Sequence, residues 1–272
     1  MLNINTNILS LTTQTNLTGS QSALSQAINR LSSGKRINTA ADDAAGLAIA
    51  TSQTAAINAL TQGVANANNG ISMIQTANGA LQSTIDNLQR IRTLAVQSGD
   101  GSLDSSARSN LQSEVTTRLG EIDRVASQTS FNSKSILGGI STVSFQIGAA
   151  ASQTVSVDFG STTWNSSGMS LTGLSVSSQS SAQSAITAID AALKQVNTFQ
   201  ATLGAAQNTF QAAISTTQTQ ATNMSAARAQ ITDADFATET ANLSKAQVLQ
   251  QAGISVLAQA NSLPQQVLKL LG

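Results

Sequence analysis

The chain has 272 residues, with 13 Lys and Arg balanced by 13 Asp and Glu. Zero net charge gives no electrostatic footprint for nucleic acid or an anionic membrane. The absence of cysteine and histidine removes disulfides, thiolate chemistry, the commonest general base and the commonest metal ligand. Charged residues make up 10% of the chain, against about a quarter in ordinary domains. Their place is taken by Ser, Thr, Asn, Gln and Ala. A single proline suits long uninterrupted helices. The first 28 residues carry no charge, so the basic start of a cleavable secretory signal is missing. No window approaches the roughly 18 apolar residues of a membrane-spanning helix. A protein of this kind leaves the cell, if it does, by another route.

Residues 1 to 31 read as a helix with a thin stripe of Ile4, Ile8, Leu11, Leu17, Leu24, Ile28 and Leu31. Such a helix is marginal alone and needs partners. Ser33-Gly34 and Asn38 then break the pattern inside a charged cluster of Arg30, Lys35, Arg36, Asp42 and Asp43, where ion pairing is expected. From about Thr54 to Val96 the apolar residues Ile57, Leu60, Val64, Ala67, Ile71, Ile74, Leu81, Ile85 and Leu88 recur in alternating threes and fours, with Asn78 filling the one slot that is not apolar. That heptad stripe predicts a rod roughly 60 Å long which needs a partner helix along its length. Residues 44 to 85 hold no charge at all, so the back of this rod is expected to meet protein as well.

Gln97-Ser98-Gly99-Asp100-Gly101 ends the rod, with Gly99 suited to a left-handed C-terminal position. Asp104 or Ser105 caps a helix to about Gln128, striped by Leu111, Val115, Leu119, Ile122 and Val125 and supported by Glu114 and Arg118 four apart. It should fold back antiparallel on the rod. Val143, Phe145 and Ile147, then Val155, Val157 and Phe159, alternate with polar residues and predict a hairpin joined by residues 148–153. Residues 160–184 read as loop, with Trp164 as a surface plug over the hairpin rather than a ligand-stacking ring. Helical period returns near Ser184 with Ile186, Ile189, Leu193, Val196, Leu203, Phe210, Ile214, Ala221, Met224 and Ile231. Asp233 and Asp235 mark a second break, and the last helix carries Leu243, Ala246, Leu249, Gly253, Val256, Ala260, Leu263, Val267 and Leu270.

The expected fold is mainly α: an elongated antiparallel helical bundle or coiled coil with a small β-hairpin region and paired N- and C-termini. Three parts are expected: a terminal coiled coil of residues 1–43 and 229–272, a helical rod of 44–140 and 184–228, and a hairpin with a short variable segment at 141–183.

No reactive constellation accompanies it. Ser32-Ser33-Gly34-Lys35 fits a Ser-x-x-Lys pattern without the companion motifs of that chemistry. Gly34-Lys35 lacks the upstream glycine of a phosphate loop. No calcium-loop spacing surrounds Asp100 or Asp104. No enzyme activity, cofactor or metal is expected.

Several runs resemble bacterial flagellin. They are Asn3-Ile4-Asn5-Thr6-Asn7, Arg30 to Asn38, Asp42-Asp43-Ala44-Ala45-Gly46-Leu47-Ala48-Ile49-Ala50, Leu88 to Gln97, Thr129-Ser130-Phe131-Asn132, and Leu243 to Leu271. The resemblance covers roughly residues 1 to 140 and 200 to 272, and it looks like a short member with a minimal variable region. It implies a structural, secreted subunit, exported through the flagellar type III channel, that polymerises into a hollow helical filament for motility. Self-assembly would then rest on Ile4, Ile8, Leu11, Leu24, Ile28, Leu31, Leu249, Val256, Leu257, Leu263, Val267 and Leu270. The implied partners are further copies, an export chaperone, the filament cap and hook-associated proteins. Host innate immune receptors are implied too. A vertebrate toll-like receptor would meet Gln89, Arg90, Leu94, Gln97, Glu114 and Arg118. A plant receptor would read the segment holding Arg36, Asp42, Asp43 and Gly46. Two other readings stay open from the sequence: a hook–filament junction protein, and a secreted adhesin-like module using residues 139–183.

Overall fold

A computed structural model describes residues 6–271, with side chains to residue 263. Among the described residues there are five helices, α1 (Ile8–Ser33), α2 (Ala44–Ser98), α3 (Ser105–Gln128), α4 (Gln179–Thr232) and α5 (Phe236–Leu271). Four short strands, β1 (Ser130–Phe131), β2 (Lys134–Ser135), β3 (Thr142–Gln146) and β4 (Thr154–Asp158), form two antiparallel pairs, β1–β2 and β3–β4. The chain divides into two compact units, Ala56–Thr222 and the flanking segments that reach Ala55 and start again at Asn223.

Unit Ala56–Thr222 is built on seven-residue repeats. In α2, Leu60, Ala67, Ile74, Leu81 and Leu88 are each at most 1% exposed. In α4, Ala182, Ile189, Val196, Leu203 and Phe210 are each 0% exposed at the same spacing. Such rows are the knobs of helices packed side by side. In α3 the row is Arg108, Val115 and Ile122, all buried. Arg108 is tolerated because its guanidinium donates to the Ser98, Asp100 and Leu103 carbonyls at the end of α2. A cation facing a helix C-terminus meets both the orphan carbonyls and the dipole. The sequence reading passed Arg108 by.

The expected ends largely hold. Asp104 caps α3, accepting from the Ala107 N–H at 2.7 Å. Gly99 is a correction: its φ is not positive, and its N–H stays within helical reach of the Ala95 and Val96 carbonyls. The expected β3–β4 hairpin forms, with Val143 opposite Val157 and Phe145 opposite Val155. The β1–β2 hairpin was not foreseen, although Asn132 opens its turn; Asn132 and Ser133 both have positive φ, as a two-residue hairpin turn demands.

Trp164 is also a correction. It is 7% exposed and stacks on Phe199 of α4, ring centroids 4.3 Å apart, so it belongs to the core rather than to the surface. The loop after β4 is tied down by Asp123, which accepts from Ser166, and by Gln112, which bonds both Leu174 and Val176. That fastening lets α4 begin at Gln179, five residues before the apolar stripe announces it.

Candidate assembly surfaces

The second unit pairs α1 with α5. Asn7 Nδ2 donates to the Ala260 carbonyl and Ser10 Oγ to Asn261 Oδ1, each at 2.8 Å. Leu17 lies against Gly253, and Arg30 reaches Glu239 at 3.9 Å. Partner numbers fall along α5 as they rise along α1, so the helices are antiparallel.

What this pair buries is small. The buried heptad row of α5 runs Glu239, Ala246 and Ala260, with Gly253 half-buried between them; α1 contributes Thr13 and Ala27. The larger aliphatics point away. Ile8, Leu9, Leu11 and Ile28 of α1 are exposed, and so are Phe236, Val248, Leu249, Ile254, Val256 and Leu263 of α5. Leu11 is 62% and Val248 64% exposed. Leu249, Val256 and Leu263 are seven apart and form one row on α5, exposed rather than packed against a partner among the described residues. An apolar surface of this kind on two paired helices marks a protein interface.

The sequence-derived assembly residues thus divide. Ile8, Leu11, Ile28, Leu249, Val256 and Leu263 are exposed, while Leu24, Leu31 and Leu257 are half-buried. Ile4 and the side chains of Val267 and Leu270 lie outside the described residues. Leu9, Phe236, Val248 and Ile254 join the surface without having been singled out; hydrophobicity off the stripe was their only signal.

The two breaks in the helical pattern meet within this unit. Gly34 ends α1 in the left-handed conformation at φ 68°. Lys35 then pairs with Asp233 as an antiparallel bridge. The Arg36 N–H donates to the Thr232 carbonyl at 2.7 Å, and its Nη2 to the Ile231 carbonyl at 2.8 Å, so Arg36 caps the end of α4. Among the described residues, Asp42 and Asp43 make no ion pairs, contrary to the sequence expectation. Backbone N–H groups at helix ends and turns have no other acceptors and take the carboxylates instead. Asp42 Oδ2 accepts from the Asn38 and Thr39 N–H groups, and Asp43 Oδ1 from the Gly46 N–H at 2.9 Å. A side chain at Gly46 would meet Asp43 Oδ2 and Ile37, so the glycine keeps this cap closed. Asp235 does the same for α5, accepting from Ala237 N–H and the Thr238 hydroxyl.

These bonds carry a pH dependence. The Thr39 backbone N–H holds the Asp42 carboxyl below its ordinary range, and the Thr238 hydroxyl does so for Asp235. A depressed folded pKa gives stability that is present above the unfolded value and lost as pH falls through the folded one. The α1–α5 unit should therefore lose helicity below about pH 4, and Asp42→Ala should blunt that loss. Circular dichroism against pH measures both; a profile unchanged by the substitution would contradict the assignment.

The residues that the resemblance assigns to a vertebrate receptor sit on α2 and α3. Arg90 donates both Nε and Nη2 to the two Glu114 oxygens, at 2.8 and 3.1 Å. Arg118 approaches the same carboxylate at 3.8 Å. The Arg90 hydrogen bonds hold the Glu114 carboxyl below the usual carboxylate range. Gln89, Gln97 and Arg118 are exposed around this pair. Leu94 is 1% exposed and packs in the core, so it shapes the surface from beneath and cannot itself be touched.

The geometry defines a class of protein: a heptad-packed helical unit and, in the same chain, a two-helix coil that leaves an apolar row exposed. Family models for the bacterial flagellin N-terminal helical region and C-terminal helical region match residues 4–142 and 186–271. The chain is 42% identical to a flagellin of Xenorhabdus nematophila over 98% of both chains, and 40% identical to a flagellar filament 30.7 kDa core protein of Treponema maltophilum over 90% of both. Its fold is similar to the Bacillus cereus flagellin crystal structure, with a TM-score of 0.51 and 26% identity over 60% of this chain and 94% of that one. The chain belongs to the bacterial flagellin family. Among the described residues no helix is long and apolar enough to cross a membrane.

Proposed function

We propose that this chain is the structural subunit that polymerises into the extracellular flagellar filament, its outward apolar row on α5 meeting neighbouring copies. The single observation behind this reading is the inverted burial of the α1–α5 pair: alanine, glycine and threonine inside, leucine, isoleucine and valine outside. Contacts between unlike surfaces of successive copies generate an open helix rather than a closed ring. Residues 1–43 and 229–272 are the filament-core part, 44–140 and 184–228 the rod, and 141–183 its hairpin and short variable segment. Nothing in the site points to catalysis.

The test is seeded assembly of Leu249→Gln/Val256→Gln. Each lost aliphatic contact removes about 1.5–3 kcal/mol of burial per subunit, so the critical concentration should rise roughly a hundredfold or more. Unchanged assembly would sink the proposal.

The finer partners follow from the same reading. An export chaperone covers the exposed α5 row before assembly. The filament cap and hook-associated proteins meet it at the filament's ends. The Arg90–Glu114–Arg118 group with Gln89 and Gln97 is accessible in the free chain and forms the surface for a vertebrate innate receptor. Monomer carrying Arg90→Ala should lose most receptor-reporter signal; full activity would remove this assignment. The Arg36–Asp42–Asp43 turn is the corresponding segment for a plant receptor. There, Asp42 and Asp43 already bond their own backbone, so a receptor reads the turn as a folded shape only if the α1–α5 unit is folded. Full recognition of a peptide too short to fold would overturn that point.

A further inference from the structure

A cleft that the filament reading does not use is lined on one side by residues 158–168, which lie between the two matched family regions, and on the other by α4 residues inside the second of them. It has a volume of about 540 Å³ and lies between the segment after β4 and one face of α4. Its floor is the stacked pair Trp164 and Phe199. Its rim carries Asp158 and Thr162 on one side and Lys194, Gln195, Thr198 and Thr202 on the other, all exposed.

We propose that this cleft is a binding site for a neutral pyranose sugar. The rim groups supply both halves of what a sugar hydroxyl needs. Among the described residues, neither Asp158 nor Lys194 has an ion-pair partner within 4.0 Å, although both line the same cleft. Asp158 uses one carboxylate oxygen to accept from the Gly160 N–H at 2.8 Å, which leaves the other as an acceptor. Lys194 and the Gln195 amide are donors without a protein acceptor among the described residues. Thr198 and Thr202 spend their protons on the Lys194 and Thr198 carbonyls, so each presents lone pairs to the cleft. A polyhydroxylated ring matches alternating donors and acceptors, and its C–H groups match the small apolar edges of Trp164 and Phe199, each 7% exposed, at the bottom of the cleft. A singly charged ligand would leave one of the two opposite rim charges unanswered.

The cleft is also pre-formed, which lowers the ordering cost of binding. The Trp164 backbone N–H donates to the Leu137 carbonyl at 2.9 Å, and its indole N–H to the Phe159 carbonyl at 3.5 Å. Asn165 Oδ1 accepts from Thr163 Oγ1 and the Gly168 N–H. Any side chain at Gly168 would strike the Thr163 carbonyl, so the loop closes over the floor only with glycine there.

Trp164 is the only tryptophan in the chain, so its fluorescence reports on the cleft directly. The experiment titrates the full chain as monomer with maltose, lactose and N,N′-diacetylchitobiose, following fluorescence and saturation-transfer NMR. At least one disaccharide should give a saturable change in both signals. Asp158→Ala and Lys194→Gln, which alter exposed rim residues and leave circular dichroism intact, should weaken it at least about tenfold. No saturable response to any of the three would overturn the proposal. So would saturable binding that both variants leave unchanged. Because the monomer is used, failure here is separable from failure of filament assembly.

Discussion

Gly63→Ala should destabilise unit Ala56–Thr222 while Gly79→Ala, on the same helix, should stabilise it. A Cβ at Gly63 would overlap the Ile147 carbonyl oxygen and stand 2.6 Å from the carbonyl carbon. Those are backbone atoms, so no rotamer change relieves the clash, and the hairpin must lift from α2. Lifting it stretches the Asn66 Nδ2 bond to the Gln146 carbonyl, now 2.9 Å. Overpacking of this kind costs about 1–3 kcal/mol or more. Around Gly79 there is nothing within 4 Å. Alanine there only gains helix propensity, worth about 0.8–1.0 kcal/mol. Chemical denaturation of the two variants and the parent decides the matter; equal midpoints would contradict the packing of hairpin on helix.

Phe210→Ala should be the more damaging of two phenylalanine truncations. Phe210 is 0% exposed, meets Phe145 edge-on with centroids 5.5 Å apart, and fills the space left by Gly70. Removing it should cost about 3–5 kcal/mol, a fall in Tm of roughly 10 °C for a unit of this size. Phe236, 57% exposed on α5, has no such contacts to lose. Its alanine variant should melt as the parent does, within about 0.5 kcal/mol, and show its defect only in assembly. A large drop for Phe236→Ala in the monomer would mean that the outward face of α5 is already covered.

Much of the rod was legible because its signal is long. Leu60, Ala67, Ile74, Leu81 and Leu88 repeat at seven, and so do Ile189, Val196, Leu203 and Phe210; no short-range preference competes with a stripe of that length. The same method found where α2 ends but placed its start near Thr54 rather than Ala44. Ile49 in that first stretch is 52% exposed, so the stripe there serves no interior and fades. The β1–β2 hairpin escaped because its strands are two residues long and its turn uses Asn132-Ser133 where glycine would have announced it. Trp164 was misplaced because its partner, Phe199, is 35 residues away and lies off the apolar stripe that runs along α4. The aspartates were misassigned as ion-pair partners because sequence shows neighbouring charges but not unpaired backbone N–H groups.

The assembly surface was half legible. Periodicity named Leu249, Val256 and Leu263, but it could not say whether the stripe faced α1 or the outside. Only the burial of Ala246 and Ala260 decides that. The plain consequence is that α5 has two faces, one of small residues for α1 and one of large residues left exposed.

The measurement that tests this account most directly is electron microscopy of purified monomer, seeded and concentrated, beside a chain lacking residues 1–31 and 243–272. The account predicts long tubes from the full chain and none from the truncated one, with the Ala56–Thr222 unit still folded in both. A truncated chain that polymerised, or a full chain that stayed monomeric with α1 and α5 folded and their apolar face exposed, would contradict it.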